Sequence, residues 1–229
     1  MTRPSLQREC VATVAFAARG RSIKLEAMSM KLMLVGQKWL GAQALGSLRK
    51  AGHDVVAVAA PNAEDRLWTS AVQAGLATLE VGRRLEAEHL PAGTDLIVCA
   101  HAHCFISDGA RQASKLGAIG YHPSLLPLHR GRDAIEWAIR MRDRITGGTV
   151  YWMDDRADGG PVICQDFCFI RQTDTAEDLW RRDLGPMGVR LLDQAVGLIS
   201  QGGGKGTPQD ETLATWEPAL TARKALSQG

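Results

Sequence analysis

The stretch "KLMLVGQKWLGAQALGSLRKAGHDVVAVAAP", residues 31–61, decides the architecture of this chain. It opens with a short apolar run that ends in a glycine, and it closes with a second apolar run of the kind found in buried strands. Between the two runs, apolar residues recur at Leu40, Ala44 and Leu48, which is helical spacing. Two buried strands joined by a helix predict a βαβ unit with parallel strands.

The same alternation continues along the chain. Further strands are predicted at 77–81, 94–102 and 117–122, and helices near 63–74, 107–116 and 132–141. Residues 147–155 and 159–170 are then two extended runs with period-two alternation, which predicts an antiparallel pair at one side of the sheet. We therefore predict an α/β fold, with a Rossmann-like, mostly parallel sheet and helices on both faces.

The two ends of the chain differ from its middle. Residues 1–29 hold four arginines and no signal-peptide core, and we predict a poorly ordered extension there, with a transit-like segment as the alternative. Residues 30–200 are predicted to form one domain that ends in a long helix over 176–200, with a possible break near Gly185 and Pro186. The glycine-rich stretch beyond it predicts a flexible C-terminal tail over 201–229.

Composition and charge narrow the class of protein. The formal net charge is +2 and no block of five like charges occurs, so no nucleic-acid partner is expected. No apolar run approaches the roughly 18 residues of a membrane span. The five cysteines are odd in number and contain no C-x-x-C pair, which is typical of reduced thiols and predicts a cytoplasmic protein.

Polar side chains gather where the predicted strands end. In open α/β sheets, ligands bind outside the carboxyl ends of the strands. One strand ends at His101 with His103 just beyond, and the next strand ends at His122. The link between the two later strands adds Asp158, followed by two glycines that allow a sharp turn. A histidine and a carboxylate within reach of each other can form a general acid–base pair.

Each of these features also has a plainer interpretation. A lone histidine in a strand is more often a satisfied core residue, and the run "DDRADGG", residues 154–160, has the composition of a polar turn. His101 and His103 lie two positions apart on one strand face, so they could ligate a metal together with a third group such as His122. The G-x-x-x-x-G spacing at 36–41 lacks the residues that complete a phosphate loop or a dinucleotide fingerprint.

Two motifs taken together point to a known family. The run "HPSLLPLHRG", residues 122–131, is followed by "GGTVYWMDDRADGGPVICQ", residues 147–165. This pair resembles the formyltransferase family that uses 10-formyltetrahydrofolate, over about residues 31–200. The resemblance implies that His122 is the catalytic histidine at the start of the loop and that Asp158 is the catalytic aspartate in the turn. The two prolines restrict the loop and so hold His122 in place.

The resemblance also implies a folate site and the fold of that family. The candidate folate contacts are Cys104, Phe105 and Ile106 on the pterin side, Asp154 and Asp155 in the facing loop, and Ser124 and Gly120 near the histidine. The implied cosubstrate is 10-formyltetrahydrofolate, and no metal is expected. The expected partner is therefore this small molecule, with neither a membrane nor a nucleic acid, and the oligomeric state stays open.

Gly120 departs from the family pattern. Family members usually carry an asparagine two residues before the histidine, and its amide donates a hydrogen bond to the formyl oxygen. Tyr121 cannot replace that amide, because adjacent strand residues point to opposite faces. Losing such a donor typically costs ~3–4 kcal/mol of transition-state stabilisation. We expect either another donor, with His101 and His103 as candidates, or a different reaction.

Within the family, the chain resembles the amino-terminal hydrolase domain of 10-formyltetrahydrofolate dehydrogenase, where the asparagine is also absent. That resemblance implies hydrolysis of 10-formyltetrahydrofolate to tetrahydrofolate and formate, and a small amine or a sugar nucleotide remains an alternative acceptor. Two other classes stay open at this point. One is a non-catalytic folate-binding module, and the other is a metal-dependent hydrolase that uses His101, His103 and His122.

Overall fold

The computed structural model describes residues 28–220. The predicted extension over 1–29 lies almost wholly outside this range, as do residues 221–229 of the predicted tail. The strands are β1 (Lys31–Gly36), β2 (Asp54–Ala60), β3 (Ala77–Glu80), β4 (Arg84–Leu85), β5 (Leu96–Ala100), β6 (Phe105–Ile106), β7 (Ala118–His122), β8 (Ile145–Trp152) and β9 (Val162–Phe169). The α-helices are α1 (Lys38–Lys50), α2 (Arg66–Gln73), α3 (Asp108–Ala113), α4 (Ala134–Arg140), α5 (Ala176–Leu179) and α6 (Gly185–Ser200).

A seven-stranded sheet forms the centre of the molecule, in the order β3-β2-β1-β5-β7-β8-β9. The first five strands in this order, β3, β2, β1, β5 and β7, are parallel. The last two, β8 and β9, are antiparallel to their neighbours. The mostly parallel sheet and its antiparallel pair at one side are thus confirmed. A small parallel pair, β4 and β6, stands apart from this sheet and was not predicted.

Both faces of the sheet are covered. On one face, Leu32 and Leu34 of β1 pack with buried residues of α1, α2 and α6. On the other face, Met33 and Val35 pack with Ala110 of α3 and with residues of the small β4–β6 pair. A strand buried on both faces needs apolar residues at every position, which explains why β1 is a continuous apolar run. The prediction of helices on both faces is confirmed.

The long C-terminal helix is interrupted near the predicted position. A capping box at Thr175 and Asp178 starts α5, a π turn over Trp180–Leu184 follows, and α6 begins at Gly185. Pro186 sits in the first turn of α6, directly after the π turn, and its missing N–H cannot bond a carbonyl of the preceding turn. Between residues 28 and 220, no helix has the length and apolar character needed to cross a membrane.

Residues 207–220, which we call the C-terminal strap, run back across the loops at the carboxyl end of the sheet. Thr207 and Val162 exchange two backbone hydrogen bonds of 2.8 Å. The Thr215 carbonyl accepts from the Arg130 N–H at 3.0 Å, and the Thr215 N–H donates to the Pro127 carbonyl at 3.1 Å. The prediction of a flexible tail did not anticipate these contacts, because bonds between backbone groups leave no periodic signal in the sequence.

Candidate active site

His122 ends β7 and is largely buried, with 7% of its surface exposed. Its Nε2 lies 2.7 Å from the His129 carbonyl oxygen. A carbonyl only accepts hydrogen bonds, so Nε2 carries the proton and donates it there. The other ring nitrogen, Nδ1, faces Asp158 Oδ2 at 3.6 Å. This separation is too long for a direct hydrogen bond, so Nδ1 is oriented toward the carboxylate without being hydrogen-bonded to it.

The loop that follows His122 is fastened to β8 from inside. The Ser124 hydroxyl donates to the Leu128 carbonyl at 2.6 Å, and the Ser124 carbonyl accepts from the Thr149 hydroxyl at 2.7 Å. The Leu126 N–H in turn donates to that same hydroxyl oxygen. Ser124 is fully buried, so its side chain holds the loop and has no surface to offer a folate.

Asp158 sits at the tip of the turn between β8 and β9 with a φ of 52°. This left-handed conformation is uncommon outside glycine, and aspartate is among the residues that tolerate it. Two donors bind its two carboxylate oxygens separately: the Tyr151 hydroxyl at 2.6 Å from Oδ1 and the Gly131 N–H at 2.8 Å from Oδ2. The carboxylate plane is therefore defined, and Oδ2 points toward His122.

Close backbone packing explains the second glycine after Asp158. A Cβ at Gly160 would lie 1.8 Å from the Trp152 carbonyl oxygen, so no side chain fits there. Gln209 of the C-terminal strap supports the same turn by donating from Nε2 to the carbonyls of Asp158 (2.8 Å) and Gly160 (2.7 Å). The Gln209 Oε1 accepts from Arg130 at 2.7 Å. The strap thus joins the histidine loop to the aspartate turn.

The two segments expected to flank the folate are joined by Arg111, which sequence reasoning missed. Its guanidinium donates to the Ile106 carbonyl at 3.0 Å and forms an ion pair with Asp155. Cys104 is half-buried and burial raises the pKa of its thiol, while Phe105 is 46% exposed. Ile106 is buried, so its side chain belongs to the core and Phe105 presents the open apolar surface.

Asp154 is engaged within its own loop. Its carboxylate forms an ion pair of 2.7 Å with Arg156, and Arg156 reaches Glu211 of the C-terminal strap at 2.9 Å. The Asp154 side chain therefore helps to hold the loop against the strap. The backbone of Asp154 lies in the loop that follows β8, next to the turn that carries Asp158.

The space beside Gly120 is filled by another strand. Gly120 pairs with Tyr151 in the antiparallel register of β7 and β8, so both side chains point to the same face. A Cβ at Gly120 would meet Tyr151 Cε1 and Oη at 3.4 Å and Met153 Sδ at 3.5 Å. Neither His101 nor His103, the donors considered from the sequence, is among these nearest atoms. Tyr121 faces away and donates to the Leu184 carbonyl at 2.7 Å.

His101 and His103 belong to a different part of the same sheet edge. Their ring centroids are 5.0 Å apart, and the His101 ring is 5.7 Å from that of Trp180. Burial lowers the pKa of His101 to about 4 and also lowers that of His103. Among residues 28–220, no three histidine, cysteine or acidic side chains come together in a way that could hold a metal ion. The alternative of a metal-dependent hydrolase therefore lacks a ligand set there.

His101 also lines a cavity of about 700 Å³ that opens where β1 and β5 end. Two tryptophans, Trp39 and Trp180, form part of its wall, and Lys38 adds a cationic group. The volume lies within the range of small-molecule sites. Its position fits the rule that ligands bind where neighbouring strands of an open sheet lead to opposite sides.

Comparison with known proteins agrees with this geometry. Residues 28–187 match the formyl transferase family. The chain is 36% identical over 201 residues to mitochondrial 10-formyltetrahydrofolate dehydrogenase of Mus musculus, covering 82% of this chain and 22% of that protein. It is 35% identical over 201 residues to the cytosolic 10-formyltetrahydrofolate dehydrogenase of Homo sapiens, with the same two coverages. The chain thus spans only about a fifth of the length of these relatives.

Solved structures agree on the fold. Glycinamide ribonucleotide transformylase 1 from Symbiobacterium toebii superposes with a TM-score of 0.70 at 25% identity, covering 80% of this chain and 95% of that one. Phosphoribosylglycinamide formyltransferase from Anaplasma phagocytophilum superposes with a TM-score of 0.69 at 26% identity, covering 83% and 100%. The expected formyltransferase fold is confirmed, and on the family match and the identity to these relatives, the chain belongs to the formyl transferase family.

Proposed function

We propose that this chain transfers the formyl group of 10-formyltetrahydrofolate and that water is its acceptor. The observation that carries the proposal is the pair formed by His122 and Asp158, whose facing atoms lie 3.6 Å apart at the carboxyl edge of the sheet. Family membership supports the reaction type. The relatives that are about 35% identical and are named 10-formyltetrahydrofolate dehydrogenases support the cosubstrate. The hydrolytic version follows from the resemblance to the amino-terminal hydrolase domain described above.

The proposed chemistry divides between the two side chains. The acceptor attacks the formyl carbon on N10 of the folate, and Asp158 takes the proton that the acceptor loses, directly or through a water. Negative charge develops on the formyl oxygen at the same time. His122 Nδ1, when protonated, can donate to that oxygen because it is not committed to Asp158. The bond between Nε2 and the His129 carbonyl keeps the ring in this orientation. When the tetrahedral intermediate collapses, the bond between the formyl carbon and N10 breaks and the proton held by Asp158 passes to N10, which releases tetrahydrofolate and formate.

The folate is proposed to lie between the Phe105 segment and the loop at the end of β8. Cys104 and Met153, one from each side, pack against the same apolar cluster, which supports a flat ring system whose faces contact apolar side chains. The ion pair of Arg111 with Asp155 supports a fixed spacing of the two walls. The chain's own residues supply every group used here, and none of the proposed steps requires a metal.

A small amine is the second candidate acceptor, and the cavity lined by Trp39, His101 and Trp180 favours it. His101 follows β5 and His122 ends β7, and these strands are adjacent, with Cys99 paired to Gly120. The cavity therefore opens at the same sheet edge as the proposed reacting groups. Water alone would not require a recess of this size, whereas an amine acceptor of moderate size would fill it.

Incubation with 10-formyltetrahydrofolate alone tests the proposal. We expect release of tetrahydrofolate and formate in equal amounts, without any added acceptor. Release only after the addition of amines would replace the hydrolase with the amine transferase. Tight folate binding with no turnover under either condition would contradict the proposed enzyme and favour a non-catalytic folate-binding module.

A further inference from the structure

We propose that Tyr151 is a positioning residue that holds the Asp158 carboxylate in its reactive orientation, in the space beside Gly120. This inference rests on the proposed function, since it gives Tyr151 a part in the same reaction. It concerns a residue of β8 that the sequence motifs contain but do not distinguish.

The hydrogen bond from Tyr151 to Asp158 is short and buried. At 2.6 Å it lies in the range of O–H···O⁻ bonds, which are stronger than bonds between neutral groups. Burial, reinforced by the nearby Asp158 charge, raises the pKa of the Tyr151 phenol well above its ordinary value. The phenol therefore keeps its proton at neutral pH and acts as a donor to Oδ1. With the Gly131 N–H on Oδ2, each carboxylate oxygen has one fixed donor.

The side chain of Tyr151 also occupies the place that a longer residue at Gly120 would need. The two residues are cross-strand partners, and a Cβ on Gly120 already touches the phenol at 3.4 Å. An asparagine side chain at this position would add a Cγ atom and then an oxygen and a nitrogen beyond the Cβ, toward the same phenol. The phenol at 151 and an amide at 120 thus compete for one volume, and this chain holds the phenol.

The proton count shows how Tyr151 acts. A phenol has one proton to donate, and in this site it goes to Asp158. Tyr151 cannot donate to a formyl oxygen at the same time, so it does not take over the role expected of an asparagine amide. Tyr151 therefore acts through Asp158. In this chain the volume that could hold a second donor to the oxyanion holds a phenol that orients the carboxylate.

Replacement of Tyr151 by phenylalanine removes the hydroxyl and leaves the ring that fills the space. In Tyr151→Phe we expect kcat to fall about 10- to 100-fold, the loss typical of one charge-assisted hydrogen bond, with KM for the folate within about threefold of wild type. The dependence of kcat on pH should differ from that of wild type, because Asp158 has lost a hydrogen-bond donor. Tyr121→Phe is the matched control, since its hydroxyl bonds the Leu184 carbonyl away from the site. It should lose comparable stability while keeping wild-type kcat and pH profile.

A second readout keeps this inference separate from the proposed function. Carbon-13 NMR of the aspartate carboxyls, with the Asp158 signal identified from Asp158→Asn, follows the carboxylate without any turnover. We expect the Asp158 carboxyl chemical shift to differ between Tyr151→Phe and wild type, because Oδ1 has lost its hydrogen-bond donor, and to be unchanged in Tyr121→Phe. Wild-type protein without activity would contradict the proposed reaction. A Tyr151→Phe variant with wild-type kcat and an unchanged Asp158 carboxyl chemical shift would overturn the role of Tyr151.

Discussion

Replacement of Asp158 by asparagine separates the charge of this residue from its place in the fold. Asparagine tolerates the φ of 52° that the turn requires, as aspartate does. Its amide oxygen can take the position of Oδ2 and accept from the Gly131 N–H. Its NH₂ group then faces the Tyr151 hydroxyl, whose oxygen can accept where it formerly donated. Both hydrogen bonds thus survive, and we expect the free energy of unfolding to change by no more than ~1 kcal/mol.

The same substitution removes the group that we propose takes up the proton. A neutral amide cannot accept a proton from the attacking acceptor. A positioned general base typically contributes about 10²- to 10⁴-fold to the rate, or ~3–5 kcal/mol. We therefore expect kcat for formyl release to fall by that factor while the folate dissociation constant stays within about threefold.

Activity and stability are measured on the same preparations, by tetrahydrofolate release and by urea unfolding. Asp166→Asn serves as the control, because Asp166 lies on the edge strand β9 and pairs with Arg190 at the surface. It should leave both quantities near wild type. An Asp158→Asn variant that keeps more than a tenth of the wild-type kcat would refute the role given to Asp158. A variant that loses both kcat and free energy of unfolding would refute the expectation that both hydrogen bonds survive.

Three further predictions concern other parts of the molecule. Gly160→Ala should abolish turnover, because its Cβ would lie 1.8 Å from a carbonyl oxygen. Its control is Gly197→Ala, which has open space on α6 and should stabilise the protein by ~0.5–1 kcal/mol in urea unfolding. Wild-type turnover in Gly160→Ala would contradict this packing. Arg111→Gln should raise KM for the folate about tenfold with little change in kcat, since the walls of the proposed site lose their link; an unchanged KM argues against a folate there. Because the pKa of His101 is about 4 in the fold, below its ordinary value, the unfolded chain binds its proton first as pH falls. Wild-type stability should therefore drop between pH 6.5 and 4, and His101→Gln should drop less; parallel curves would contradict the burial argument.

Strand alternation made the sheet predictable, since buried parallel strands are long apolar runs with helices between them. The two-residue strands β4 and β6 could not be predicted, because a run so short carries no periodicity. The motifs around His122 and Asp158 marked two positions whose side chains the structure brings to 3.6 Å. Their proximity follows from the carboxyl edge of the sheet, which the alternation already implied.

The surroundings of that pair could not be read from the sequence. Tyr151 faces Gly120 only through the register of β7 with β8, and a shift of one residue would have turned it to the other side. Gln209 reaches Asp158 from 51 residues away, through a segment whose composition is typical of a flexible tail. Ser124 lies in the recognised motif, yet its hydroxyl holds the loop from within, a distinction that only coordinates supply.

The C-terminal strap has a consequence for how the site opens. It crosses the rim of the sheet and is held there by hydrogen bonds and by ion pairs such as that of Glu211 with Arg130. Segments outside the core generally detach at lower cost than the core strands, and we expect this of the strap. Each detachment takes Gln209 away from the carbonyls of Asp158 and Gly160 while the seven strands stay paired. We therefore expect the fraction of molecules in which Gln209 supports the Asp158 turn to follow this local equilibrium and not global unfolding. Amide exchange at Thr215, followed against that of β5, would measure the two equilibria separately.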